Sequence, residues 1–413
     1  MNHILIIGSV WPEPNSSAAG SRMMQLITLF LSKDWKITFA STAQKGIQKV
    51  DLGALQIEEV MIALNNNSFD TFIQKLKPTI VLFDRFMMEE QFGWRITEHC
   101  PDALKILDTE DLHCLRKTRH QAILKDMKFE ISDLLNSEIA KREIASIYRC
   151  DVSLIISTYE MELLTAIFKI DSSLLYYLPF LLDKINDEQI DNLNSFKGRE
   201  HFITIGNFLH APNVDAVMYL KKSIWPMIRK QLPKAELHIY GAYVTQQILE
   251  LDNEKEGFLI KGFSKNAQKV VSNARVCLAP LRFGAGIKGK LTEAMQNGTP
   301  SVTTSIGAEG MHADVPWSGF IEDIPENFAD RAVELYSNQS VWIKSQQNGI
   351  KIINQFYNKE KLSRPFLKHI QNLQANIGLH RTQNFIGAML QHHTLRSTKY
   401  LSKWIEEKGK NSK

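Results

Sequence analysis

Short apolar runs alternate with longer amphipathic stretches along most of the chain. Runs of about five residues, rich in Val, Ile and Leu, are too short for helices and are typical of strands buried on both faces of a sheet. In the first half they occupy residues 4–7, 36–40, 79–83, 104–107 and 152–156, with a helix predicted through 23–31. Strands that alternate with helices in this way predict βαβ units and a parallel sheet.

The alternation is interrupted once and then starts again. Between residues 183 and 199 the composition shifts to Asp, Asn, Glu and Lys, which is typical of a linker. The later apolar runs lie at 201–205, 236–240, 257–260, 276–279 and 301–304. The pattern predicts two doubly wound α/β domains facing a cleft, at residues 1–183 and 200–375, with a linker at 184–199 and a basic helical tail at 376–413.

The charge of the chain changes this picture only at its end. The 413 residues carry a formal net charge of +4, and 44% hydrophobic with 23% charged residues is ordinary for a globular protein. So small an excess of positive charge argues against a protein that acts mainly on nucleic acid. After residue 379, however, seven Lys or Arg residues stand against two Glu residues.

The same segment carries an interrupted apolar stripe that leaves two interpretations open. In one, the tail packs across both domains, and Phe385, Met389 and Trp404 serve as core. In the other, the tail contacts an anionic membrane face or a lipid-linked acceptor. The stripe consists of Phe385, Met389, Leu390, Leu395, Tyr400, Leu401, Trp404 and Ile405.

Cysteine usage and hydropathy favour a cytoplasmic protein that is at most peripheral on the inner face of the membrane. The four Cys residues form no CxxC motif, and no stretch approaches the roughly 20 apolar residues needed to cross a bilayer. The apolar run at 4–7 is too short for a secretory signal. His392 and His393 are adjacent and point to different faces of a helix, so we expect no metal site there.

The richest candidate for chemistry is a glycine-bearing turn between a predicted strand and a predicted helix. Gly284 and Gly286 precede the helix, where backbone N–H groups and the helix dipole favour an anion. Arg282 and Lys288 bracket the turn with two cations, a combination that suits a diphosphate. Glu293 follows about two turns along the helix and is suited to accept hydrogen bonds from two ribose hydroxyls.

A plainer interpretation of this turn remains open. In it, Arg282 and Lys288 are solvated, and Glu293 pairs with Lys290 three residues earlier. The helix is expected to end at Gly298, a residue suited to a helix C-terminus. Neither a GxxxxGK[ST] motif nor a GxGxxG motif after the first strand is present, which argues against ATPase, kinase and dinucleotide-binding classes.

Several of these segments together resemble glycosyltransferase family 4, the retaining enzymes with the GT-B fold. Residues 279–310 are similar to the donor-binding core of a subgroup in which a G-x-G-x-K turn precedes an L-x-E-A-M helix. Residues 205–216, IGNFLHAPNVDA, resemble the first loop of that family's second domain, and residues 16–22 resemble the loop after its first strand. The resemblance covers most of residues 1–375 and implies two Rossmann-like domains in a GT-B fold.

The resemblance implies a role for each group of residues. Glu293 would hold the ribose of a nucleotide-diphosphate sugar, while Arg282 and Lys288 would neutralise the departing diphosphate. Further donor contacts are implied for Gly206, Asn207, His210, Asn213, Gly284 and Gly286, with Ala308, Glu309 and Gly310 closing over the donor. The first domain would hold the acceptor near Gly20, Ser21, Arg22, Glu110, Asp111 and His113, with Gly20 and Ser21 presenting backbone amides.

At three positions the sequence departs from the family pattern or fits it in more than one way, so the roles of these residues stay open. Ala285 stands where the family has the first of two glutamates, so backbone amides of the turn are expected to contact the sugar instead. Glu110 falls where a histidine is common, and His113 either replaces that histidine or is a capping or core residue. Asn213 is expected to cap the helix that follows it, with a ligand role added.

Taken with the resemblance, the sequence implies retaining transfer of a sugar from a nucleotide-diphosphate sugar to an acceptor hydroxyl, in bacterial glycan or cell-envelope polysaccharide synthesis. No cofactor or metal is expected to be required, and the partners are the nucleotide sugar and a glycan or lipid-linked acceptor. A GT-B-like nucleotide-sugar epimerase is one alternative, although no pair of general acid and base is identifiable for it. A non-catalytic nucleotide-sugar-binding protein is another, supported by the altered glutamate and histidine positions.

Overall fold

The computed structural model describes residues 2–410, without the side chains of residues 395 and 410. Within that range the chain folds into two parallel β-sheets, each with an apolar core on both faces. The predicted α/β architecture, with a C-terminal helical extension, is confirmed. The side chain of Leu395, in the predicted stripe, and residues 411–413 of the predicted tail lie outside what the structure describes.

The first domain is built on a seven-stranded sheet. Its strands are β1 (His3–Gly8), β2 (Lys36–Ser41), β3 (Glu58–Met61), β4 (Ile80–Asp84), β5 (Leu104–Asp108), β6 (Val152–Ile155) and β7 (Leu175–Tyr177). Its helices are α1 (Ala18–Leu31), α2 (Ser68–Leu76), α3 (Phe86–His99), α4 (His113–Leu124), α5 (Ile131–Leu135), α6 (Glu138–Arg149) and α7 (Thr158–Glu162). The strand order is β3-β2-β1-β4-β5-β6-β7.

The second domain follows a segment that contains the short helix α8 (Asp187–Asp191) and has a six-stranded sheet in the described range. Its strands are β8 (Glu200–Ile205), β9 (Leu237–Tyr240), β10 (Phe258–Gly262), β11 (Ala274–Ala279), β12 (Ser301–Thr303) and β13 (Gly319–Ile321), in the order β10-β9-β8-β11-β12-β13. Its helices are α9 (Ala211–Tyr219), α10 (Trp225–Gln231), α11 (Gln246–Leu249), α12 (Ala267–Asn273), α13 (Gly289–Gln296), α14 (Ser305–Ala308), α15 (Pro325–Ser337) and α16 (Gln339–Phe356). Three further helices complete the described chain: α17 (Lys359–Ala375), α18 (Ile377–Gln383) and α19 (Phe385–Lys410).

The strand order places the candidate motifs next to each other. The order reverses between β1 and β4 in the first sheet and between β8 and β11 in the second. Open parallel sheets bind ligands at the carboxyl ends of their strands at such a reversal. The loops after β8 and β11 contain the two second-domain motifs, so this topology brings them side by side.

Three strands that the apolar runs did not predict are all edge strands. They are β3, β7 and β13, each of three or four residues. An edge strand has one neighbour and is partly exposed, so it does not need the continuous apolar run of a central strand. Residues of β3 are exposed or half-buried, whereas every residue of the central strand β4 is buried.

Helix α17 corrects the predicted end of the second domain at residue 375. Although it follows that domain along the chain, its apolar residues Phe366, Leu367 and Ile370 join the core of the first domain. The rings of Phe366 and Phe30 have centroids 6.3 Å apart. The chain crosses back because the apolar face of α17 packs into the first domain's core, and burial of such a face is favourable.

The tail lies on the first domain, but not with the side chains that the packing interpretation expected. Helix α19 contacts α3 and α6, and Ser402 donates a hydrogen bond to Asn65 Oδ1 at 3.0 Å. Phe385, Met389 and Trp404, expected to serve as core, are exposed. No helix within residues 2–410 is long and apolar enough to span a bilayer.

Candidate active site

The glycine-bearing turn that the sequence predicted lies between β11 and α13, and its backbone geometry depends on glycine. Gly286 has φ +64°, in the left-handed region that favours glycine. Lys288 is the N-cap residue of α13, and its buried Nζ donates a hydrogen bond to the carbonyl oxygen of Gly286 at 2.7 Å. Burial lowers the pKa of Lys288 to about 8. The interpretation in which this lysine is solvated is therefore wrong.

Lys290 connects this helix to the loop after β8 and is a site residue that sequence reasoning assigned no ligand role. Its Nζ donates to Asn213 Oδ1 at 2.8 Å, and Asn213 Nδ2 in turn donates to the carbonyl oxygen of Asn207 at 2.8 Å. Burial lowers the pKa of Lys290 to about 8. The predicted cap by Asn213 is not formed, because His210 is the N-cap residue and the Asn213 amide is used in these two bonds.

Gly206 allows this loop to close tightly. A Cβ at Gly206 would lie 2.7 Å from Asn213 Nδ2, closer than unbonded atoms can approach. Asn207 Oδ1 accepts a hydrogen bond from the backbone N–H of Leu209 at 2.8 Å. The four predicted donor residues of this loop therefore form one hydrogen-bonded turn next to α13.

Glu293 lies on α13, one turn after Lys290. It is half-buried, and burial raises the pKa of its carboxyl to about 7. The alternative in which Glu293 pairs with Lys290 is not realised, since Lys290 bonds to Asn213. The helix ends as expected, with Gly298 in the left-handed conformation at φ +62° just after it.

Arg282 is placed differently from the other predicted cations. Its Nε donates to Asp215 Oδ2 at 3.0 Å and its second nitrogen contacts Asp215 Oδ1, while the guanidinium lies 5.0 Å from the ring centroid of Tyr219. Its side chain is 40% exposed. The guanidinium is thus paired on the α9 side of the second domain, because Asp215 offers a carboxylate there, and it is not placed among the lysines of the turn.

The first domain supplies partners for the polar backbone groups of the turn. Glu160 Oε1 accepts a hydrogen bond from the Gly286 N–H at 2.9 Å, and Arg119 donates to the Gly284 carbonyl oxygen at 2.9 Å. The amide expected to contact a sugar is therefore bonded to a carboxyl group in this state. These partners lie 126 and 165 positions away, and no sequence motif identified them.

Arg119 also binds the segment predicted to close over a donor. It donates to the two carboxylate oxygens of Glu309 at 2.8 and 2.7 Å. Ala308 is buried, and a Cβ at Gly310 would come within 2.4 Å of Ser157 Oγ in the first domain. Residues 308–310 thus rest against the first domain.

The acceptor loop of the first domain uses its predicted amides internally. The Gly20 N–H donates to the side chain of Ser17, the N-cap residue of α1, and the Ser21 N–H donates to the Ser17 carbonyl oxygen. Arg22 is fully buried, and its guanidinium forms a 2.8 Å ion pair with Asp108. The expectation that these groups face an acceptor is corrected, because helix capping and a buried charge pair consume them.

The loop after β5 brings the three other predicted cleft residues together. Glu110 has φ +62°, and its Oε1 is buried without a hydrogen-bond partner within residues 2–410. Burial raises the pKa of this carboxyl well above its usual range. Burial alone would raise the pKa of Asp111, but the Arg116 guanidinium holds it below its usual range. A Cβ at Gly286 would lie 2.8 Å from Asp111 Cβ, so this loop faces the glycine turn.

His113 fits the core interpretation better than that of a proton-transfer group. It is buried, its Nε2 lies 3.3 Å from Asp111 Oδ1, and its ring packs edge-on against Phe86. Burial lowers the pKa of His113 to about 3, so the imidazole is neutral at pH 7. His210 of the second domain is exposed at the cleft, where desolvation, with a smaller contribution from Arg116, lowers its pKa to about 4.

Two further contacts join the domains on either side of this cluster. The hydroxyl of Tyr243 donates to the carboxylate of Glu13 at 2.7 Å, and the rings of His120 and Phe283 stack with centroids 4.2 Å apart. The lysines, the glutamates and the glycine turn therefore lie in a cleft that both domains line. Within residues 2–410, no group of three or more His, Cys, Asp or Glu side chains is arranged to hold a metal ion.

The second domain is similar to a known protein family. Residues 199–338, which contain the turn and both lysines, match the family model described as Glycosyl transferases group 1. A curated relative, an uncharacterized 44.6 kDa protein in the cps region of Klebsiella pneumoniae, is 23% identical over 191 residues. That match covers 45% of this chain and 47% of the relative, so it spans about half the length of each.

Solved structures resemble nearly the whole chain. S. aureus TarM, as a variant in complex with Fondaparinux, alpha-GlcNAc-glycerol and UDP, has a TM-score of 0.66 at 12% identity, covering 91% of this chain and 100% of its own. Anabaena HepE in complex with UDP and glucose has a TM-score of 0.64 at 12% identity, covering 90% of this chain and 100% of its own. At such identities the likeness establishes the fold alone. The chain has the GT-B fold, and its second domain matches the sequence model of the group 1 glycosyl transferases.

Proposed function

We propose that this chain is a retaining glycosyltransferase that moves a sugar from a nucleotide-diphosphate sugar to an acceptor hydroxyl. The observation that carries the proposal is the convergence of Lys288, Lys290 and Glu293 at the start of α13, in the cleft between the domains. All three lie inside the segment that matches the glycosyl transferase model. TarM and HepE, which share the fold, are described in complex with UDP.

The two lysines supply the positive charge that departure of a nucleoside diphosphate requires. With pKa values of about 8, both are mostly protonated at pH 7. The N-terminus of α13 adds the partial positive charge of a helix dipole. Charge that is already in place where the leaving group becomes negative stabilises the transition state without reorganisation.

Glu293 is proposed to hold the ribose of the donor. A carboxylate can accept a hydrogen bond at each oxygen, which matches two neighbouring hydroxyls. With a pKa of about 7, the carboxyl is close to half ionised at neutral pH before a ligand binds. Hydrogen bonds from the two hydroxyls would favour the ionised form and hold the donor in register with the lysines.

We propose that the donor phosphate, rather than a protein base, accepts the acceptor's proton. His113 is buried beside Phe86 and neutral, and burial raises the pKa of Glu110 well above its usual range. Transfer on one face of the sugar would retain the anomeric configuration. We further propose that the reaction needs no metal, since the lysines provide the charge; unchanged turnover in EDTA is the expected result.

The biological setting proposed is glycan or cell-envelope polysaccharide synthesis. It is supported by the Klebsiella relative, whose description places it in a cps region. The acceptor would then be a glycan or a lipid-linked saccharide bound on the first-domain side of the cleft. A screen of such acceptors requires the donor to be known first.

The first test is a thermal-shift panel of UDP-, GDP-, ADP- and TDP-sugars on the purified protein. A ligand that binds the native state raises its stability with occupancy. We expect one nucleotide class to raise the Tm of the wild type and of Lys234→Ala, an exposed-lysine control on the second domain, but not of Lys288→Ala or Glu293→Ala.

Turnover then separates the enzyme classes. A retaining transferase is expected to release nucleoside diphosphate only when an acceptor is present. The anomeric configuration of its product, axial or equatorial by NMR, is expected to match that of the donor. Conversion of the donor sugar without an acceptor would replace the proposal with an epimerase. Binding without turnover on any acceptor would leave a nucleotide-sugar-binding protein, and no binding at all would overturn the proposal.

A further inference from the structure

The last helix of the described chain is oriented with its polar side against the protein. Helix α19 crosses α3 and α6 of the first domain. Gln391 Nε2 donates to the Arg149 carbonyl oxygen at 2.9 Å, and Lys399 Nζ donates to Glu98 at 2.7 Å. Farther along, Ser402 and Glu406 both bond to Arg95. Polar groups thus fix the inner face of the helix, and most of its described large apolar side chains are exposed.

The outward face carries large apolar and aromatic side chains near both ends of the helix. At 100° per residue, positions 385, 389, 393, 396, 400 and 404 share one face, and 19 rises of 1.5 Å make that face about 29 Å long. We call five exposed residues on or beside it the outer stripe: Phe385 (76% exposed), Ile386 (46%), Met389 (46%), Tyr400 (65%) and Trp404 (59%).

Basic residues lie within and beside the outer stripe. Arg396 is on the same face, and Lys403 and Lys408 flank Trp404, with Lys408 Nζ 5.0 Å from the indole ring. Glu406 is held by Arg95 on the inner face, whereas Glu407 is exposed at a position on the outward face, so three cations stand against one carboxylate there. An apolar and aromatic face bordered by cations is complementary to an anionic lipid surface, where rings enter the acyl boundary and cations meet headgroups.

We propose that the outer stripe of α19 docks this protein on an anionic membrane, with the helix parallel to the surface and the first domain held against it. The helix is too polar to cross the bilayer, so it would lie in the interface. A second copy of the chain is a less suitable occupant. Packing two copies of the stripe together would bring the basic residues Arg396, Lys403 and Lys408 of one copy close to those of the other. The inference is independent of the donor chemistry proposed above.

The test is sedimentation of the full chain with vesicles of phosphatidylcholine alone and of equal parts phosphatidylcholine and phosphatidylglycerol. We expect pelleting with the anionic vesicles only, decreasing as salt is raised, since exposed charge interactions are screened. Tyr400→Ala with Trp404→Ala is expected to lower the partition constant about tenfold or more, and Arg396→Glu with Lys403→Glu to abolish the preference for anionic lipid.

A matched control separates the stripe from exposed apolar surface in general. Leu124 is 72% exposed at the end of α4, so Leu124→Ser removes a comparable group elsewhere and is expected to leave pelleting unchanged. All variants change exposed side chains, and unchanged circular-dichroism melting would confirm their folding. Equal pelleting of wild type and the stripe variant would overturn the proposal. An absence of pelleting with either kind of vesicle would also overturn it. If light scattering then showed a dimer that the stripe variant loses, the stripe would be a dimer interface instead.

Discussion

Gly289, the first residue of α13, faces Ala18, the first residue of α1, across the cleft between the domains. A Cβ added to Gly289 would lie 2.5 Å from the Cβ of Ala18. Helix N-termini carry partial positive charge, so two positive ends meet where we propose that the diphosphate binds. The absence of a side chain at Gly289 allows the domains to approach this closely.

Replacing this glycine is expected to hold the domains apart. In Gly289→Val the side chain cannot fit against Ala18 without a shift of one domain, and a misplacement of about 1 Å can reduce kcat/KM about 100-fold. The Tm should change little, because the core of each domain is untouched. Steady-state kinetics and small-angle scattering check this. Gly378→Ala is the control, since a Cβ there meets nothing within 4 Å, and full activity of Gly289→Val would contradict the prediction.

The ion pair between Arg119 and Glu309 is expected to stabilise the closed cleft. The two side chains are only 7% and 16% exposed, and removing one partner of such a pair costs about 3 kcal/mol in the state that forms it. Arg119→Ala should therefore raise the donor KM and increase the radius of gyration. A double-mutant cycle with Glu309→Gln should show strong coupling. Additive effects, or an equal change from Arg142→Ala at the more exposed pair with Glu90, would contradict this.

Lys290 and Arg282 are expected to differ sharply in their effect on turnover. Lys290 is half-buried beside the glycine turn, so Lys290→Ala should lower kcat by about 100-fold, the scale seen when a group that stabilises transition-state charge is removed. Arg282 is paired with Asp215 and partly exposed, so Arg282→Ala should change kcat by only about twofold. Steady-state kinetics with a saturating acceptor measure both. A larger loss of kcat in Arg282→Ala than in Lys290→Ala would instead place Arg282 at the diphosphate site.

Donor affinity should pass through a maximum between about pH 7 and pH 8. As the pH rises through about 7, Glu293 loses its proton and gains full capacity to accept ribose hydrogen bonds. As it rises past about 8, Lys288 and Lys290 lose the charge that holds the diphosphate. Calorimetric titrations of the donor across this range measure the profile.

Two variants test which residue causes each side of the pH profile of donor affinity. Glu293→Gln cannot ionise and should remove the acid limb while weakening binding overall. Lys288→Arg stays protonated throughout and should flatten the alkaline limb. If Glu293→Gln leaves the acid side of the profile unchanged and Lys288→Arg leaves the alkaline side unchanged, groups other than these residues cause the pH dependence of donor affinity.

Phe366 should stabilise the first domain although it follows the second in sequence. Its ring lies in the core with Phe30 and Tyr176, so Phe366→Ala should cost about 3–5 kcal/mol. Hydrogen exchange should show the loss of protection in α1 and the first sheet. Phe328→Ala, in the second domain's core, is the control and should weaken the second sheet instead. If both variants lost hydrogen-exchange protection in the same sheet, the assignment of Phe366 to the first domain's core would be contradicted.

Local features of the chain determined much of the architecture and one half of the site. Runs such as 79–83 and 104–107 are apolar throughout because central parallel strands are buried on both faces, so they identify strands without other information. The turn at Gly284 and Gly286 and the start of α13 are equally local, because left-handed backbone and helix ends have preferred residues. Lys288 and Glu293 could be selected on that basis.

Only the tertiary structure decided which groups meet. Arg119 and Glu160 reach the glycine turn, Arg282 turns to Asp215, and Lys290 bonds to Asn213. Each contact joins residues far apart along the chain, and its formation depends on how two sheets are packed rather than on spacing. The same is true of α17 and α19: periodicity predicts that each has an apolar face, but whether that face is buried or exposed depends on the surface it meets.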